Sequence, residues 1–228
     1  MNDALTQKKS REQYLNELQN LDLPIGAHII VWGNWRFVNR IMSWLQYLWL
    51  GEKNAPAHMQ RVYNKNHDIS AEAKGVMLID RMESLKKADR IRIIHHNKIM
   101  QPGMDEKFIA TCSNYLNAPY DSYFYFLVVL RIFTFFLPFI FIWTLFLNVP
   151  FLIPLILLLI ILYWPVRRYL TTKSKYSWAC SELCNSIDRH LGIDTGIDID
   201  HNTSPNYYYR LSRASSDFQG VYDSGWIS

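Results

Sequence analysis

The fold class predicted by the sequence is α+β. A small, mostly antiparallel sheet carries helices, and a two-helix membrane hairpin interrupts the chain. Three observations predict it. Short segments of strand length, separated by turn residues, recur between residues 25 and 95. Helix-type segments stand at 104–116 and 178–191. Between them, residues 125–164 carry a single charge, Arg131, and every other charge of the chain lies outside that stretch.

Length and composition bound the rest. The 228 residues suffice for one domain, or one domain with an embedded accessory segment. The net charge of +4, from 24 basic and 20 acidic residues, argues against a nucleic-acid partner, which calls for a dense basic stripe. With 50% hydrophobic residues, including 12 Phe, 14 Tyr and 8 Trp, the chain is not a disordered one. Three cysteines, Cys112, Cys180 and Cys184, exclude a disulfide scaffold. The mean hydropathy of -0.08 hides an uneven distribution, because a charged, soluble-type domain surrounds an apolar middle.

The elements follow in order. Residues 4–21 read as a short amphipathic helix, the N-terminal segment 1–20. Ile25–Trp32, after Pro24, reads as a strand. Arg36–Leu50 is helix-like and, with Trp32, Trp35, Trp44 and Trp49, heavily aromatic. Gly51–Pro56 reads as a loop and Ala57–Tyr63 as a strand. After a turn at Asn64–Asp68, Ile69–Ala73 and Gly75–Ile79 read as further strands. Met82–Lys87 is a short helix or turn, and Arg90–His95 alternates as a strand does. Met104–Leu116 opens with Asp105 and Glu106, which suit the positive end of a helix dipole. Trp178–Leu191 is a helix stopped by Gly192. The tail from Asp194 reads as polar, turn-rich and tyrosine-rich.

The apolar middle reads as a transmembrane or re-entrant hairpin over 125–165, with arms at Phe126–Leu147 and Phe151–Trp164. One span needs about 20 apolar residues, and the Asn148–Pro150 break divides the run. Arg131, Arg167, Arg168, Lys173 and Lys175 flank it, so the positive-inside rule puts both flanks in the cytoplasm. The charged N-terminus, without an apolar core, is no signal peptide. A two-pass hairpin returns to its starting side, so the halves before and after it can form one domain. A lipid bilayer is then a partner, and the aromatic stretch around Trp44 and Trp49 lies either on its surface or in the core.

The sharpest local feature is Cys180-Ser-Glu-Leu183 at the start of a helix. A helix N-terminus favours thiolate, and its free N–H groups can hold an oxyanion. A nucleophilic cysteine also needs a base, usually histidine, and a group to orient that histidine. Other pieces stand in a fixed order: Ile25–Ile29 (IGAHI), Ala57–Met59 (AHM), Glu72–Val76 (EAKGV), Arg90–Ile94 (RIRII), Tyr115–Asp121 (YLNAPYD), the Cys180 helix, and Ser204-Pro205 with Phe218 beyond.

This order resembles the circularly permuted papain-fold cysteine hydrolases, relatives of the NlpC-type cell-wall peptidases, over about residues 21–124 and 166–220. The resemblance implies a permuted papain-like domain from 21–124 and 166–228, with no cofactor and no metal. It implies Cys180 as nucleophile, His58 as general base and acid, and Glu72 as the group orienting His58. Read from the residues alone, Glu72 is equally a solvated strand residue, with Asp80 or His67 as the third member. The oxyanion would be held partly by the Cys180 N–H. Tyr120 would line the substrate site. Apart from the resemblance, the aromatic segment with Trp44 and Trp49, on the membrane surface, would border its entrance and bind substrate. Three departures stand out: Ala27 replaces an acidic residue, Asn117 a glycine, and Gln60 and Arg61 replace hydrophobic residues after the histidine. Cys112, Cys184, His28, His95 and His96 read as structural.

The expectation is a membrane-anchored thiol peptidase or amidase facing the cytoplasm, cleaving an amide, ester or thioester bond through a thioester. Its substrate would be a peptide, a lipid or an acylated protein. Two alternatives are carried. One is a lipid or protein acyltransferase or thioesterase of the lecithin:retinol acyltransferase-like type. The other is a catalytically degenerate membrane adaptor. Oligomeric state is left open.

Overall fold

A computed structural model describes residues 9–33, 56–72, 74–119, 180–196 and 205–227. Its element order is α1 (Arg11–Asn20), β1 (His28–Gly33), β2 (His58–Val62), β3 (His67–Glu72), β4 (Gly75–Asp80), α2 (Arg81–Leu85), β5 (Ala88–His96), a 3₁₀ turn (Asn97–Met100), α3 (Met104–Ser113), α4 (Cys180–His190), α5 (Pro205–Ala214) and β6 (Phe218–Asp223). The six strands form one sheet in the order β4-β3-β2-β1-β5-β6. Every neighbouring pair is antiparallel.

Alternation along the strands gives the sheet two apolar faces. On one face Ile30, Met59, Ile69 and Ile94 meet Phe108 of α3, Leu183 and Ile187 of α4 and Tyr208 of α5. On the other, Ile29, Val31, Ile91 and Ile93 meet Tyr14 and Leu18 of α1 and Leu85 of α2. Helix α1 starts at a capping box, in which the Ser10 hydroxyl accepts from the Gln13 backbone N–H and the Gln13 side chain accepts from the Ser10 N–H. Asp80 caps α2 through the Glu83 N–H at 2.8 Å. Ala27, an acidic position in the family pattern, is fully buried in the second core, where an apolar side chain fits.

The expected fold class needs correction. The architecture is a mixed α/β one built on a six-stranded antiparallel sheet, larger than the small sheet expected. Among the described residues no helix is long and apolar enough to cross a membrane. The interruption by a two-helix membrane hairpin is therefore without support, and 125–165 lies outside the described residues. The tail also differs from a turn-rich segment, because it supplies helix α5 and edge strand β6. Pro205 occupies the first position of α5, where its fixed φ and missing N–H suit a helix start.

Candidate active site

The turn Asn64–Asn66 folds β3 back on β2. The Asn64 carboxamide accepts from the backbone N–H groups of Asn66 (2.9 Å) and His67 (2.8 Å). The pairs Arg61↔Ile69 and Val62↔Asp68 fix the register. Continued toward the start of β2, that register sets His58 opposite Glu72. Residues two apart on a strand share a face, so Ser70 and Glu72 stand together.

The side chains meet there. His58 Nε2 lies 2.9 Å from Ser70 Oγ and 3.2 Å from Glu72 Oε1. Ser70 donates its hydroxyl proton to Glu72 Oε1 at 3.1 Å, so the oxygen is left to accept from His58 Nε2–H. Ser70 is fully buried. The His58 and Glu72 side chains are 14% and 19% exposed, open enough to meet a ligand.

Helix α4 packs across β2 and β3 and brings its first residue, Cys180, within electrostatic and hydrogen-bonding reach of His58. Burial opposes charge on His58. The Cys180 sulfur and the Glu72 carboxylate outweigh it, and together they raise the imidazole from 6.5 to about 10. The other two thiols sit in the apolar core. Burial pushes Cys184 well up and Cys112 up to about 12, so neither is poised as a nucleophile.

Of the residues the sequence singled out, the structure gathers Cys180, His58 and Glu72. It does not gather the alternatives for the third place. Asp80 caps α2, and His67 pairs with Asp80 at the far end of β3. Trp44, Trp49 and Tyr120 lie outside the described residues. Trp32, first of the aromatic stretch, is 3% exposed and belongs to the core, beneath Arg90 at 5.0 Å. His28 is a core residue bonded to Asp188. Ser70 was missed by the sequence reading. The Ser-x-Glu spacing at 70–72 was the available signal, since it puts a hydroxyl beside the carboxylate on one strand face.

The polar residues that depart from the resembled pattern find physical partners. Gln60 donates to Asp68 at 2.7 Å, and Arg61 pairs with Asp188 under α4. Asn117 takes φ 66°, a left-handed conformation that asparagine tolerates better than most residues. Among the described residues no group of three or more His, Cys, Asp or Glu could hold a metal ion. A surface groove lined by Lys9, Glu17, Asn20 and Tyr222 contains none of the site residues. No protein-family model, no curated protein and no solved structure matches the chain.

Proposed function

We propose that this chain is a cysteine hydrolase that cleaves an amide, ester or thioester bond through a thioester on Cys180. The single observation that carries the reading is convergence. A thiol at a helix N-terminus, an imidazole, and a hydroxyl–carboxylate pair on that imidazole meet at one point.

Each group has a role set by its place. His58 takes the Cys180 proton, and the sulfur attacks the carbonyl carbon of the substrate. With Nε2 engaged by Ser70 and Glu72, Nδ1 is the nitrogen left to serve the sulfur. The tetrahedral oxyanion forms beside the first turn of α4, where the Cys180 N–H has no partner within its own helix. Collapse expels the leaving group, which takes its proton from His58. Water then attacks the thioester as His58 accepts a proton, and that proton returns to the sulfur when the acid product leaves. Glu72, directly and through Ser70, keeps the ring oriented and favours its charged form. Resemblance to the permuted papain-fold hydrolases supports an amide or peptide bond as the substrate class.

The test is the rate of iodoacetamide labelling at each cysteine, followed by mass spectrometry in wild type and in His58→Ala. Cys180 should label at neutral pH about a hundredfold faster than Cys112 or Cys184, and should lose most of that advantage in His58→Ala. Equal, slow labelling of all three cysteines that ignores His58 would refute the enzyme.

A further inference from the structure

Beneath α4 lies a set of buried polar groups, one ion pair with two neutral partners, that the proposed chemistry does not use. Arg61, Asp188, His28 and Tyr208 are all fully buried. Arg61 bonds Asp188 Oδ1 through one terminal nitrogen. The Arg61 Nε and its other terminal nitrogen donate to the Gly26 carbonyl at 2.9 and 2.6 Å. The second Asp188 oxygen accepts from His28 Nε2 at 2.9 Å and from the Tyr208 hydroxyl at 2.8 Å. Strands β1 and β2 and helices α4 and α5 therefore converge on one carboxylate.

We infer that the Arg61–Asp188 pair is a positioning clamp that holds the Cys180 helix in register with the His58 strand; the inference rests on the cysteine-hydrolase reading above. Arg61 stands three residues after His58 on β2. Asp188 stands eight residues after Cys180 on α4, about two turns along the helix. The clamp thus joins the two elements that carry nucleophile and base, away from the point where those groups meet. The guanidinium is planar and is held on both edges, so it cannot swivel to follow a sliding helix. One of its terminal nitrogens also reaches the Cys184 carbonyl at 3.5 Å, one turn from Cys180.

Energetics favour a geometric role over a stabilising one. A buried ion pair is a weak stabiliser, because desolvation consumes its attraction, and apolar pairs of like volume often replace it without loss. Its worth lies in fixing geometry, and a shift of about 1 Å between reacting groups can lower a rate about a hundredfold. A second buried ion pair among the described residues, Asp68 with Arg81, joins β3 to α2 and has no part in α4. The side-chain hydrogen bonds of Arg61 and Asp188 go to Gly26, the Cys184 carbonyl, His28, Tyr208 and each other, not to the Cys180 or His58 side chains, so the two are positioning residues.

The experiment reads the factor by which His58→Ala slows Cys180 labelling, in wild type and in an Arg61→Met/Asp188→Asn background. That pair of changes removes both charges together, and asparagine at 188 keeps an acceptor for His28 and Tyr208. Thermal unfolding is recorded alongside. In wild type the factor is about a hundred, and in the clamp variant it should fall below about three while cooperative unfolding persists. Labelling is read at a temperature where the thermal curves show each variant fully folded, so a loss of stability alone leaves the factor unchanged. Arg61→Lys keeps the charge and loses the fork. It should show the same collapse of the factor, and it decides the matter where the double variant does not fold. A factor that stays near its wild-type value in either folded variant overturns the clamp and leaves the hydrolase standing. A wild-type factor near one overturns the hydrolase, and the clamp with it.

Discussion

At the residue scale, His58 is defined by three neighbours with separable effects. Burial disfavours its charge, while the Cys180 sulfur and the Glu72 carboxylate favour it and prevail, raising the ring to about 10. Replacing Cys180 with alanine removes the first of the favourable causes. The His58 ring resonances should then titrate about one unit or more lower by NMR. An unchanged titration would show that the sulfur is not what charges the ring. The sign for folding follows from the raised value. His58 contributes stability that is full below its unfolded pKa of about 6.5 and is lost as pH climbs toward 10. Ser70→Ala deletes the nearer of the two Nε2 contacts and leaves Glu72 in place. It should slow Cys180 labelling about tenfold, less than Glu72→Ala, which removes the charge itself. Cys180 and His58 could be picked out from the sequence because both stand in the ordered set of short motifs that resembles the permuted papain-fold hydrolases, whereas neither stands out by its local pattern alone. Ser70 was legible only through its Ser-x-Glu spacing to Glu72, a weak signal until the strand register brings His58 opposite the pair.

At the scale of elements, the segment after α3 docks on the start of β4 and makes a firm prediction. Val76 N–H donates to the Ala118 carbonyl at 2.8 Å, and Asn117 N–H returns to the Val76 carbonyl at 2.9 Å. Gly75 has φ 118°, and a Cβ built there would lie 2.6 Å from the Ala118 oxygen. Gly75→Ala should lower the free energy of unfolding by about 1–3 kcal/mol, since backbone, not a flexible side chain, must give way. Asn117→Gly should be nearly neutral, because glycine accepts the same left-handed φ. Urea denaturation of the two variants checks both, and a neutral Gly75→Ala would contradict the close approach. The strands β1 to β5 were legible, because apolar residues recur between clear turn signals. The C-terminal elements were not. Strand β6 is an exposed edge strand containing Gly220, with little apolar alternation to read, and the start of α5 rests on Pro205 alone.

At the scale of the whole molecule, the two faces of the sheet are held differently. On the α1–α2 side the Asp68–Arg81 pair and Gln60 tie β2 and β3 to α2 beside an apolar core, whereas under α4 a network on the single Asp188 carboxylate ties two strands to two helices. That network was illegible in sequence for a physical reason. Arg61 and Asp188 are 127 residues apart, and no local pattern joins them, so Arg61 read only as a departure from a hydrophobic strand. Its consequence for the molecule is sensitivity to acid. Burial first, and then the Arg61 charge, hold His28 down to about 4 despite the neighbouring Asp188 carboxylate. In the unfolded chain the same ring takes a proton near pH 6.5. Between those values the unfolded state binds more protons, so stability rises with pH across that window. The His28 contribution is therefore complete above about pH 6.5 and is lost as pH falls toward 4, an effect of about 3 kcal/mol. Asp188 adds a second, lower step. Burial pushes it up, but Arg61 and His28 prevail and hold it at about 2, so its share disappears only below the ordinary carboxylate range. Urea midpoints measured from pH 7 to pH 4 should fall steeply for wild type. His28→Asn, which cannot titrate, should flatten that fall even if it is less stable at pH 7. A His28→Asn slope as steep as wild type would assign the acid sensitivity to other groups and leave the buried imidazole without its thermodynamic role.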